Sequence, residues 1–146
     1  MAYVSVITGG TGGMGIEIAK RLAKNTKILL CGRRESKLAE AKAALKDCEN
    51  VEYAVMDVVN RDDIKAAVEK AREMGEGKNV IHAAGVNEFT NGKPNDPGFI
   101  LENNIKGAQY IAEAFLPVIC EGGCYLNIAS MSSYYNPCLL YTSPSP

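Results

Sequence analysis

The stretch Thr8–Gly15, TGGTGGMG, constrains what this chain can fold into more than any other. It follows Tyr3–Thr8, YVSVIT, a short run rich in β-branched residues and bounded by glycine, which reads as a buried strand. It leads into MGIEIAKRLAKN, where Ile16, Ala19, Leu22 and Ala23 share one helical face. Glycines between a strand and a helix allow a reversal too tight for side chains. They also leave the backbone N–H groups of the helix start uncovered. The chain therefore opens as a strand–turn–helix unit.

The same alternation continues. Lys27–Gly32 reads as a second strand. A helix over Glu35–Cys48 follows, with Leu38, Ala41, Leu45 and Cys48 on one face. Val51–Val58 reads as a third strand. Asn60 is placed to cap the next helix, with Asp63 completing a capping-box variant, and Ile64, Ala67, Val68 and Ala71 form its buried stripe. Asn79–Gly85 reads as a fourth strand. After the polar loop NEFTNGKPND, Asp96 caps a helix with Pro97 at its first position. That helix runs on Ile100, Asn104, Ala108, Ile111, Ala112 and Phe115 to about Ile119, and Gly122–Ser130 is a fifth strand. Repeated strand and helix imply an α/β fold, a parallel sheet covered on both faces. Right-handed crossovers favour the Rossmann-like, doubly wound form, here reaching the fifth strand.

Composition narrows the class. The chain has 146 residues, 47% of them hydrophobic and 23% charged, which suits one domain with its own core. A net charge of −1 offers nothing to nucleic acid or to an anionic membrane surface. No apolar run reaches the length of a membrane span, and MAYVSVITGG lacks the basic start of a signal peptide, so the expected location is the cytoplasm. The five cysteines are odd in number and irregular in spacing. Cys120 and Cys124 have no second Cys/His pair to complete a zinc site, so no metal is expected and the thiols read as buried and reduced.

The glycine turn carries the chemistry. Its N–H groups and the positive end of the helix suit a pyrophosphate. Gly10, Gly12 and Gly15 fit the general G-x-G-x-x-G pattern in the strand–turn–helix setting that this pattern requires. Thr8, Gly9, Gly13 and Gly15, enclosing Thr11 and Met14, resemble the glycine motif of the classical branch of the short-chain dehydrogenase/reductase family. Asp57-Val58 is similar to that family's adenine-side pair. His82-Ala83-Ala84-Gly85 stands where the family usually has Asn-Asn-Ala-Gly. Asn104-Ile105-Lys106-Gly107 resembles its Asn-x-x-Gly motif, and Leu126–Ser130, LNIAS, its serine-bearing strand. These motifs in order cover nearly all of Val4–Ser130.

The resemblance implies a dinucleotide held by Gly9, Thr11, Gly13, Met14, Gly15, Asp57, Val58, Ala83, Ala84 and Gly85. It implies hydride transfer to or from a small-molecule hydroxyl or carbonyl, in a whole protein that is a homo-oligomer. Ser130 takes the place of the substrate-holding serine and Asn104 that of the water-ordering asparagine; Ser132 and Ser133 are alternatives to the first and Asn103 to the second. Charge speaks to the cofactor. The second strand ends Cys31-Gly32-Arg33-Arg34 with no acid at its tip. Arginine pairs bidentately with phosphate, so NADP is preferred, with Arg33 as main ligand of the 2′-phosphate and Arg34 beside it. Glu35 keeps NAD open. His82, the only histidine, reads as a strand-end packing residue before a proton carrier.

The family's Tyr-x-x-x-Lys pair, one helical turn apart, is missing. Tyr134, Tyr135 and Tyr141 are followed four positions later by Cys138, Leu139 and Ser145, and no lysine follows Lys106. The dinucleotide-binding domain is expected over residues 1–137. The last nine residues, Cys138–Pro146, agree throughout with one reading frame of a transposase sequencing adapter and read as a non-native tail. The chain as it stands is then expected to be inactive and, with its fifth strand at a bare edge, prone to aggregate. Two other readings remain open on His82-Ala83: a non-catalytic redox-sensing module, and an extended-branch enzyme acting on a nucleotide sugar.

Overall fold

Five strands, all parallel, form one sheet in the order β3-β2-β1-β4-β5 in the computed structural model, which describes residues 2–87 and 95–130. β1 (Tyr3–Thr8) and β2 (Lys27–Gly32) have the bounds that the sequence implies. Successive side chains leave a strand on opposite faces, and both faces are covered. On one, Val4, Val6, Leu29, Cys31 and Val80 meet α3 (Arg61–Met74) through Ile64, Ala67, Val68 and Ala71. α5 (Gly107–Phe115) joins them through Ile111 and Phe115. On the other, Ile7, Ile28, Leu30 and Ile81 meet Ala19 of α1 (Gly13–Leu22) and Leu38 and Ala41 of α2 (Glu35–Ala44). The fold is the doubly wound, Rossmann-like one.

Several ends differ from expectation, each for a local reason. α2 stops at Ala44, because the N–H groups of Leu45 and Lys46 turn to carbonyls three residues back. β3 (Val51–Val55) ends before Asp57-Val58. The Met56 N–H still reaches Gly32 O at 2.8 Å, but the Asp57 N–H goes to Asp63 Oδ2 at 3.0 Å and Asp57 Oδ1 accepts from Val59 N. Asp63 therefore leaves the expected capping box; Asn60 alone caps α3, accepting from the N–H groups of Asp62 and Asp63. β4 (Glu76–His82) ends three residues early, because the next N–H groups bond Thr8.

The helix expected from Pro97 to about Ile119 is broken. α4 (Pro97–Leu101) passes into a π-helical turn over Glu102–Lys106 before α5, and a 3₁₀ turn at Leu116–Val118 ends it. Asp96 caps α4 as expected, its Oδ2 accepting from Phe99 N. β5 (Ile119–Asn127) begins early and takes a bulge at Gly122, where φ is +68°. That edge position leaves Cys124 exposed, against the expectation of buried thiols, whereas Cys31 is fully buried and its pKa is pushed up to about 12 by that burial. The tail Cys138–Pro146, Ser132, Ser133 and the three late tyrosines lie outside the described residues.

Candidate functional site

The sheet changes winding direction between β1 and β4. β1 leads outward to β2 and β3; β4 leads the other way to β5. Ligands of such sheets bind beyond the carboxyl ends of the strands at this point. A cleft of about 290 Å³ opens there. Gly9, Thr11, Arg33, Arg34, Val58, Ala83, Ala84 and Gly85, all expected at the site, line it.

Gly9 sits at the junction with φ +67°, and a Cβ there would lie 2.7 Å from both Ala83 O and Ala84 N. The β1 and β4 ends approach this closely only because the side chain is absent. Gly15 serves a second contact, between α1 and its own turn: its Cβ would be 2.7 Å from Gly9 O. Gly13 differs, since a Cβ there meets nothing within 4 Å. Gly12 caps α1 without a side-chain bond. The N–H groups of Gly13, Met14 and Gly15 belong to the first helical turn and have no carbonyl within it to bond. An uncovered helix start, open space at Gly13 and a cleft alongside fit an anionic dinucleotide without rearrangement.

The walls differ in character. Cys31, Met56 and Val58 make one apolar side, with Cys31 and Met56 buried. Asp57 accepts from Val59 N through Oδ1, and its neighbours Met56 and Val58, not Asp57 itself, line the cleft. Arg33 and Arg34 are exposed at the mouth. The Arg33 guanidinium stands over the Phe99 ring, with Cζ 5.8 Å from the centroid. Glu35 lies beside Tyr53, whose hydroxyl is 3.5 Å from Oε1, and does not line the cleft.

Asn103 and Asn104 share the π-helical turn but divide the work. Asn104 clamps the chain after β4: its Oδ1 accepts from Val86 N at 2.9 Å and its Nδ2 donates to Val86 O at 2.8 Å. Asn103, only 3% exposed, lines the cleft and donates to Phe99 O at 3.0 Å. Ser130 lies just beyond β5, exposed, at the same end of the sheet as the cleft. Cys31 and Met56 line the cleft and Phe99 meets Arg33 without a signal in the sequence, whereas Asn103 is the alternative that the sequence offered to Asn104. Cys31 and Met56 look like ordinary core positions, and Phe99, in α4, reaches Arg33 only across the switch point.

His82 is buried and packs as expected of a strand-end residue, its Nδ1 2.8 Å from Thr8 Oγ1. Burial holds its pKa below the usual 6.5. The unfolded chain therefore binds the proton more readily. Stability is complete above about pH 6.5 and declines as pH falls through the lowered folded value. Urea midpoints between pH 8 and pH 5 should show this slope, and His82→Asn should flatten it. An unchanged slope in that variant would assign the acid sensitivity elsewhere.

Comparison with known proteins follows the same lines. The family model described as short chain dehydrogenase matches residues 3–142. An uncharacterized oxidoreductase of Staphylococcus saprophyticus is 34% identical over 140 residues, covering 90% of this chain and 60% of its own length. The uncharacterized oxidoreductase DltE of Bacillus subtilis is 33% identical over 119 residues, covering 77% of this chain and 46% of its own. The chain thus spans no more than about 60% of these relatives. A variant of the actinorhodin polyketide ketoreductase, solved with NADPH, superposes with a TM-score of 0.78 at 25% identity, covering 91% of this chain and 55% of that one. NAD+-bound xylitol dehydrogenase shares the fold, with a TM-score of 0.80 at 24% identity over 92% of this chain and 55% of that one. Among the described residues no helix is long and apolar enough to cross a membrane. A glycine turn at the switch point, a helix start facing a cleft, and a family match over almost the whole chain agree: this chain belongs to the short-chain dehydrogenase family of oxidoreductases.

Proposed function

We propose that the whole protein is an NADP-preferring cytoplasmic oxidoreductase and a homo-oligomer, acting on a hydroxyl or carbonyl group of a small molecule. The observation that carries the cofactor preference is the cleft mouth. Two exposed arginines stand there, while Glu35, an acid that would favour a free ribose hydroxyl, lies beside Tyr53 and outside the lining of the cleft. When bound, the nicotinamide supplies or accepts the hydride.

The chain's own residues bind and orient. The first-turn N–H groups of α1, at Gly13, Met14 and Gly15, take the pyrophosphate. Arg33, with Arg34 beside it, takes the 2′-phosphate through charge-assisted hydrogen bonds. Val58, backed by the buried Met56 and Cys31, gives the adenine an apolar surface, and Ala83–Gly85 make the opposite wall. Asn104 keeps that wall in place through its two bonds to Val86. The Ser130 hydroxyl holds the substrate oxygen. NADPH should bind the chain at least about tenfold more tightly than NADH in a fluorescence titration, the worth of one charged hydrogen-bonded contact. Equal affinities would remove the preference.

Proton transfer in this reading needs a tyrosine with an ammonium beside it, which keeps the phenolate accessible near neutral pH. No lysine follows Lys106 in the sequence. The 146-residue chain supplied with NADPH and a panel of ketones is therefore expected not to turn over. Turnover abolished by Ser130→Ala would show that some other group moves the proton.

A further inference from the structure

We infer that Phe99 is a positioning residue for cofactor choice: its ring holds the Arg33 guanidinium at the cleft mouth, ready for a ribose 2′-phosphate. This rests on the reading that Arg33 takes that phosphate. Arg33 follows β2 on one side of the switch point, and Phe99 lies in α4 on the other. The Cζ-to-centroid distance of 5.8 Å is within reach of a cation–π contact. Among the described residues no carboxylate forms an ion pair with Arg33.

The ring itself is held. The Phe99 N–H donates to Asp96 Oδ2 at 3.2 Å, and its carbonyl accepts from Asn103 Nδ2 at 3.0 Å. Asn103 is buried and lines the cleft, so the backbone that carries the ring is fixed by the α4 cap on one side and tied to the cleft on the other. The geometry is compatible with phosphate binding. Stacking uses the face of the guanidinium, whereas bidentate pairing uses its N–H edge. A free arginine side chain is rich in rotamers, and ordering it costs affinity when the ligand arrives. The ring sets part of that order beforehand.

The probes are adenosine 2′,5′-bisphosphate and 5′-AMP, titrated into the 146-residue chain and followed by ³¹P NMR. The dissociation constant of 5′-AMP divided by that of the bisphosphate reads recognition of the 2′-phosphate alone. A merely structural defect weakens both ligands and leaves the ratio unchanged. Phe99→Leu, which keeps an apolar side chain without a π face, should lower the ratio about threefold. Phe99→Trp should retain it. In an Arg33→Ala background, Phe99→Leu should change the ratio no further. If Arg33→Ala lowers the ratio and Phe99→Leu does not, the role of Phe99 is overturned while that of Arg33 stands. If Phe99→Leu still lowers it without Arg33, the ring acts by another route and the inference is wrong. If Arg33→Ala leaves the ratio unchanged, or neither probe binds, the reading of Arg33 fails and this inference with it.

Discussion

Gly9→Val is expected to abolish dinucleotide binding and to lower stability by about 3 kcal/mol or more. Two costs add. A β-branched residue at φ +67° occupies the left-handed region, worth roughly 1–2 kcal/mol. Its Cβ would also press on Ala83 O and Ala84 N at 2.7 Å, backbone atoms that cannot swing aside as a side chain would. Overpacking of this kind costs a further 1–3 kcal/mol, roughly. The total is a large share of the about 5–15 kcal/mol that holds a typical domain. The strain is released only if the ends of β1 and β4 part, which is where the cleft lies. Gly13→Ala is the contrasting variant. Nothing lies within 4 Å of its Cβ, so the fold should be unharmed or firmer by up to about 1 kcal/mol, while ligand binding falls because the methyl occupies the open space. Urea unfolding with a parallel NADPH titration separates the two. A Gly9→Val chain with an unchanged midpoint would show that the ends of β1 and β4 yield to a side chain without cost.

Thr8→Val should cost about 3 kcal/mol despite keeping the size and shape of the side chain. The Thr8 hydroxyl serves two partners: it accepts from Ala84 N at 3.2 Å and pairs with His82 Nδ1 at 2.8 Å. One partner is the last residue of β4 and the other lies in the chain leaving it. Removing the hydroxyl strands a ring nitrogen that is buried and a half-buried N–H, each worth roughly 1–3 kcal/mol when left unsatisfied. Thr8→Ser, which returns the hydroxyl, should recover most of the loss. A Thr8→Val midpoint close to that of the parent chain would mean that water replaces the hydroxyl.

What could be read from the sequence is unevenly distributed. β1 and β2 were legible to the residue because continuous β-branched and aliphatic runs end at glycines. The stripes of α1, α2 and α3 were legible from spacing. The end of β3 was not, because it is fixed by Asp63 reaching back to the Asp57 N–H, a contact that competes with an equally reasonable capping box. The π-helical turn was invisible for a related reason. Helical periodicity runs on through Asn104 and Ile111, and the break is marked by Asn104 bonding Val86 outside the helix and Asn103 bonding back to Phe99 O. Of the residues expected at the site, Gly9, Thr11, the two arginines and Ala83–Gly85 line the cleft, because each stands at a strand end or in the turn that follows it. Asp57, expected there from the family resemblance, has its Oδ1 bonded to Val59 N, whereas Phe99 needs three dimensions to meet Arg33.

The winding reversal between β1 and β4 also has a kinetic side. The turn at Gly9 and the wall at Ala83 are far apart in sequence, as are Thr8 and His82, 74 residues apart. No local piece of the chain contains the cleft. It exists only once β4 has paired with β1, a closure whose entropy must be met before any contact rewards it. A dinucleotide that binds there is linked to that late pairing, and by mass action it raises the stability of the whole sheet by RT ln(1 + [L]/Kd). Ligand occupancy is thus a readout of global folding, and two half-chains divided between α2 and β4 would each lack the site until they reassociate.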